Sequence, residues 1–220
     1  RILVANRKFF DEIGKQDRYE MVRHLPRMIL ESPIDTKKIR LPKNACDKIR
    51  IGRHSIGSES KFDVDNVKLI KDINKRYKNE IEWDFMGIPK RDKKELKKID
   101  NVTIRDTFSI PVSEYLQDID IFLFFVSWKR EEPWSRSVAE AIASGCPILA
   151  TNKGGNKDQV IHGNNGFLCK EQKDFYKHII YLIEHKNKIK EMGENSLLYS
   201  KFFTSEYVIN KLIKFIELKA

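Results

Sequence analysis

The chain has 220 residues, enough for one large domain or one domain with part of another. It carries 42 Lys and Arg against 32 Asp and Glu, a net charge of +10, with 34% charged and 40% hydrophobic residues. That describes a globular chain with a charged surface, and no apolar run approaches the roughly 18–20 residues that a membrane-spanning helix needs.

The elements follow in chain order. Arg1 to Asn6 reads as a short strand and Lys8 to Ile13 as a helix. Met21 to Leu30 mixes apolar and basic residues. Pro26, Pro33 and Pro42 then interrupt regular structure, so positions 31–46 read as a linker and the main domain starts near Asp47. Lys48 to Arg53 is a first strand. A Ser/Gly-rich loop from Ser55 to Phe62 contains Lys61, and Val64, Val67, Ile70 and Ile73 at helical spacing predict a helix over 63–76. Ile81 to Gly87 alternates as a strand, Asp92 to Ile99 reads as a charged helix, and Val102 to Phe108 as another strand. Pro111 starts a short helix through Leu116.

The centre of the pattern is the apolar run Ile119 to Val126, then a polar loop, a short helix to Gly145, and the apolar Pro147 to Ala150. Buried strand, loop, helix and buried strand signal a parallel sheet. A glycine loop at 151–156, a helical turn at 158–161, a turn at 162–166 and a strand at 167–169 follow. Phe175, Ile179, Ile180, Leu182 and Ile183 mark one amphipathic helix, and Val208, Leu212, Phe215 and Ile216 another. Alternating strands and helices make this an α/β chain with a doubly wound, Rossmann-like parallel sheet.

Three groups of residues can do chemistry. Glu132 and Glu140 flank the start of the central helix, where ligands of open α/β sheets bind. Ionised carboxylates accept hydrogen bonds from hydroxyls such as those of a sugar or ribose. Ser137-Val138-Ala139-Glu140 also fits a capping box, which would give Glu140 a purely local role. Arg53 and Lys61 follow the first strand and suit an anionic ligand, the arginine as a fork and the lysine as a point charge. Gly154-Gly155 follows a buried strand, where glycines admit a ligand and leave amides free for an anion. Cys46, Cys146 and Cys169 form no CxxC pair, which points to reduced thiols, a cytoplasmic location and no zinc site.

Taken together, Gly52-Arg53-His54-Ser55 with Lys61, then Glu132 to Glu140 closing on Ala141, Ala143, Gly145 and Pro147, then Gly154-Gly155 and His162 to Leu168, resemble one known pattern. It is that of the donor-binding, C-terminal half of GT-B glycosyltransferases of the retaining family 4. The resemblance covers about positions 47–170. It implies transfer of a sugar, with retention, from a nucleoside-diphosphate sugar, without a metal or other cofactor. Arg53 and Lys61 would stabilise the leaving diphosphate, and Glu140 would bind the ribose. Glu132 would contact the transferred sugar, beside the backbone of Trp134, Ser135 and Arg136 and the Gly154-Gly155 turn. Gly52 belongs to the same donor site, and the base would lie near Arg105.

Two positions depart from the pattern. Ser135 stands where glycine is common, and can cap the helix; Asp158 replaces a common glutamate. The family's acceptor domain normally precedes this one. Residues 1–46 are therefore expected to be its remnant plus the linker, with 47–220 the donor domain, which alone would bind donor weakly and transfer nothing. The acceptor is left open between a sugar, a lipid-linked glycan and a polysaccharide. The basic surface suits peripheral docking on a membrane. A GT-B sugar-nucleotide epimerase is the alternative within the fold. A basic nucleic-acid-binding module is the alternative outside it, but the sequence has no RNP-type aromatic pattern, helix-turn-helix signal or zinc ligands, so no nucleic acid partner is expected.

Overall fold

The computed structural model describes residues 2–4, 7–16, 20–21, 25–36 and 47–217; Cys46 and positions 37–46 of the expected linker lie outside the described residues. Near the start, β1 (Ile2–Val4), α1 (Arg7–Lys15) and β2 (Arg27–Ile29) form a two-stranded parallel unit. The sequence pointed to β1 and α1. It did not point to β2, three residues among basic neighbours just after Pro26.

From Ile49 on, strands and helices alternate. They are β3 (Ile49–His54), α2 (Asp65–Tyr77), β4 (Ile81–Met86), α3 (Lys90–Leu96), β5 (Val102–Arg105) and α4 (Val112–Leu116). There follow β6 (Ile121–Phe124), α5 (Arg136–Ala143), β7 (Ile148–Thr151), α6 (Asn156–Gln159) and β8 (Gly166–Cys169). Three helices close the chain: α7 (Gln172–Glu184), α8 (Lys186–Ser200) and α9 (Ser205–Glu217).

The six strands are all parallel, in the order β5-β4-β3-β6-β7-β8. The chain winds outward from β3 to β5, returns to lay β6 beside β3, and winds the other way. That reversal opens a crevice at the carboxyl ends of β3 and β6, the usual ligand position in such sheets.

Side chains alternate across each strand and so fill two cores. Ile51, Trp83, Phe85, Leu123 and Leu149 pack with Leu69, Ile70 and Ile73 of α2 and Phe175 and Ile179 of α7. Phe122, Phe124, Ile148 and Ala150 face the other way, onto Tyr115 of α4 and Val138 and Ile142 of α5. Each fully buried Ile, Leu, Val or Phe among them contributes roughly 1.5–3 kcal/mol, so the sheet centre is held firmly on both faces.

The helix α8 was not expected. Its buried residues are Met192, Gly193 and Ser196, while Leu198 is exposed, so it lacks a clean apolar stripe. The strand expected over 102–108 stops at Arg105, and the one over 119–126 is regular only from Ile121 to Phe124. The short helix α6 starts two residues before the predicted turn at 158. Among the described residues no helix is long and apolar enough to cross a membrane.

Candidate functional site

A cavity of about 410 Å³ opens at the β3/β6 reversal. The end of β3 supplies His54 and the loop after it Ser55, Ile56 and Lys61; the loop between β6 and α5 supplies Glu132, Trp134 and Ser135. The first turns of α5 add Arg136, Ser137 and Glu140, and Phe108 and Val112 close the far end. Residues as far apart in sequence as His54 and Glu140 thus meet where the topology directs a ligand.

Glu132 is the most enclosed charge in the cavity wall. Its carboxylate faces Lys61 Nζ at 3.5 Å and accepts from Arg130 Nε at 2.8 Å. Glu140 lies one turn into α5. Its Oε1 accepts from Arg136 Nε at 3.0 Å, and its Oε2 stands 3.5 Å from His54 Nε2. Burial raises the Glu140 pKa above the ordinary carboxylate range, with Arg136 opposing. His54 is buried edge-on against Tyr115 and Phe122, and burial, aided by the Arg53 charge, lowers its pKa to about 3. It is therefore a neutral imidazole beside the carboxylate.

Spacing placed Arg53 and Lys61 together at the strand end; the structure separates them in depth. Only Lys61 lines the cavity. Arg53 is fully buried between the rings of Phe62 and Phe124, at 5.5 and 5.3 Å, and donates one hydrogen bond, to Phe125 O at 3.3 Å. Among the described residues its Nε and Nη2 have no hydrogen-bond partner, and burial lowers its pKa to about 10. Unmade hydrogen bonds on a buried charged group are costly, so this guanidinium is held at a free-energy cost within the core.

Several expectations need correction. The capping box at Ser137 does not form: the N-cap of α5 is Ser135, whose Oγ accepts from Val138 N at 3.3 Å. Ser135 is held further by Gln159, which accepts from its N at 3.1 Å and donates to its O at 2.8 Å. The Gly155 amide is not free for an anion, because it donates to Glu132 O at 2.8 Å. The two glycines serve instead to let the Glu132 loop lie against β7–α6; a Cβ on Gly154 or Gly155 would overlap the carbonyl of Glu132 or Pro133. Gly52 has no exposed face for a ligand: a Cβ there would come within 2.6 Å of Tyr115 Oη, which bonds to Arg53 O and Asp84 O.

Arg105 is likewise engaged, its Nε and Nη2 forked onto Asp84 at 2.9 and 2.8 Å. Phe108, 61% exposed with φ 54, stands at the cavity end instead. A bulky residue held in left-handed backbone stores strain of order 1–3 kcal/mol. Trp134 is half-buried and packs edge-on to Phe203 at 5.2 Å, while the Arg136 side chain is largely exposed. Phe108, Arg130 and Gln159 were given no site role from sequence, and His54 entered only as one position of the Gly52-Arg53-His54-Ser55 segment. Among the described residues no group of three or more His, Cys, Asp or Glu side chains is placed to hold a metal ion.

A family model described as Glycosyl transferases group 1 matches residues 64–198, more than half of the chain. Trehalose synthase of Thermococcus litoralis is 37% identical over 65 residues, covering 30% of this chain and 16% of that protein. An uncharacterised glycosyltransferase of Methanocaldococcus jannaschii is 29% identical over 149 residues, covering 64% and 40%. Among solved structures, Anabaena HepE in complex with UDP superposes with a TM-score of 0.78 at 16% identity, covering 97% of this chain and 62% of that one. Sucrose-phosphate synthase from Thermosynechococcus elongatus gives 0.79 at 15% identity, covering 97% and 57%. At these identities the structural likeness is one of fold, and the chain spans less than two thirds of the length of each of these proteins.

Proposed function

The chain belongs to the glycosyl transferases group 1 family, and we propose that it is the nucleotide-sugar-binding part of a retaining glycosyltransferase. The observation that carries this reading is the convergence of Lys61, Glu132 and Glu140 in one cavity at the reversal of strand order. The buried Arg53, one residue before the cavity-lining His54 and with two N–H groups unpartnered among the described residues, supports the same reading.

In this reading the donor diphosphate lies against Lys61 and above Arg53. As the bond from the sugar to the diphosphate breaks, negative charge grows on the leaving oxygen, and cations already fixed in a sheltered wall stabilise it without reorganising. No metal is needed for that role. Glu140 accepts hydrogen bonds from the ribose hydroxyls, and Glu132 from the sugar. The base lies at the apolar end, against Phe108, Ile56 and Val112, because Arg105 is occupied by Asp84. The acceptor hydroxyl forms its bond on the face the diphosphate leaves, and its proton passes to the departing phosphate oxygen.

The donor domain in this reading is 47–220, and residues 1–46 are the end of a preceding acceptor domain plus its linker. The separate β1–α1–β2 unit supports that division. A cytoplasmic enzyme of glycan synthesis fits the reading, its basic surface docking on an anionic membrane face.

The test uses the protein with its preceding half, a panel of UDP-, GDP- and ADP-sugars, and nucleotide release as readout. Glu132→Ala is expected to lower turnover by about 100-fold or more while free UDP still binds. Unaltered turnover in that variant overturns the assignment.

A further inference from the structure

Arg130 precedes Glu132 by two residues, in the loop after β6. Its Nε and Nη2 both reach Glu132 Oε2 at 2.8 Å, and its Nη1 donates to Ser60 Oγ at 3.0 Å. Ser60 sits in the 3-10 turn Glu59–Lys61, next to Lys61 itself. One guanidinium therefore ties the carboxylate loop to the lysine loop, and Ser127 N donating to Ser60 O at 3.2 Å closes the same junction. The other oxygen of Glu132 faces Lys61 at 3.5 Å. Two cations share one carboxylate, and Arg130 has the closer hold.

We propose that Arg130 is a positioning residue of the donor site, holding Glu132 so that Lys61 remains available to the donor diphosphate. The inference rests on the donor-site reading above. Glu132 and a diphosphate are both anions and compete for Lys61. The Glu132 side chain is only 12% exposed, so water cannot satisfy it fully and it must keep a cationic partner. Without Arg130 the carboxylate closes on Lys61 and neutralises the charge that the donor needs. A lysine in place of Arg130 would keep the charge but would lose the planar fork that meets Glu132 with two N–H groups and Ser60 with a third.

The experiment is calorimetric titration of the 220-residue chain with UDP, GDP and ADP, following whichever binds most tightly. Arg130→Gln is expected to weaken binding about tenfold, and Arg130→Lys less. In the Arg130→Gln background, adding Glu132→Gln removes the competing carboxylate and should bring affinity back to within about threefold of the unsubstituted chain. A merely structural arginine gives no such recovery. Undiminished affinity in Arg130→Gln, or a loss that the double variant does not regain, overturns the inference alone. An unsubstituted chain that binds none of the three nucleotides overturns the donor-site reading and this inference with it.

Discussion

His54 and Glu140 meet at 3.5 Å in the cavity wall, an imidazole that stays neutral beside a carboxylate whose pKa is raised. The folded pKa of His54, about 3, lies well below the value near 6.5 expected of an unfolded chain. Below about pH 6.5 the unfolded chain takes up a proton that the folded chain refuses, so this group's contribution to stability, fully present above that pH, is lost progressively on acidification. Glu140 works in the opposite direction near the carboxylate range, because its folded pKa is raised. Urea unfolding between pH 7 and 5 should therefore show stability falling with pH, and His54→Gln should flatten that fall; an equal slope in the variant contradicts the account.

The meeting of single residues was legible where spacing alone places them. Lys61, Glu132 and Glu140 stand in one cavity because each sits a fixed number of residues beyond a strand or into a helix. Residues whose partners come from a distant element were misread. Arg105 looked free until the β4–β5 register set Asp84 within reach. Gly52 looked like a ligand contact, yet the phenol of Tyr115, sixty-three residues on, occupies the space beside it.

At the scale of elements, the start of α5 decides how the site is aimed. Ser135 caps the helix, Gln159 of α6 clamps the same residue from both sides, and the Gly155 amide holds Glu132 O. The loop bearing Glu132 is thus fixed at its ends by the two elements that follow it. Replacing Ser135 by Ala should cost about 1 kcal/mol of unfolding free energy, whereas Ser137→Ala should change it by under about 0.5 kcal/mol. Urea denaturation of the two variants checks this, and equal costs, or a larger one for Ser137, refute the cap assignment. The sequence offered both serines as caps, and only the loop geometry set by β7 and α6 chooses between them. The other elements were read well where apolar periodicity is strong, as in α2 and α7. They were missed where it is weak: α8 buries a glycine and a serine, and β2 has three residues.

Across the whole molecule, alternation of strands and helices foretold a doubly wound sheet but not its strand order, because order depends on contacts between β3 and β6, some seventy residues apart. That single pairing creates the crevice and assembles three loops into one wall. The net charge of +10 left two partners open at the outset, a phosphate-bearing small molecule and a nucleic acid. Lys61 lines the crevice, and Arg53 is buried in the core one residue before the cavity-lining His54. Titrating the chain in parallel with UDP and with a single-stranded oligonucleotide, each with and without Lys61→Ala, separates the two most directly. Saturable UDP binding that Lys61→Ala weakens by about tenfold or more is the expected result. Preferential binding of the oligonucleotide, unchanged by that substitution, would contradict it.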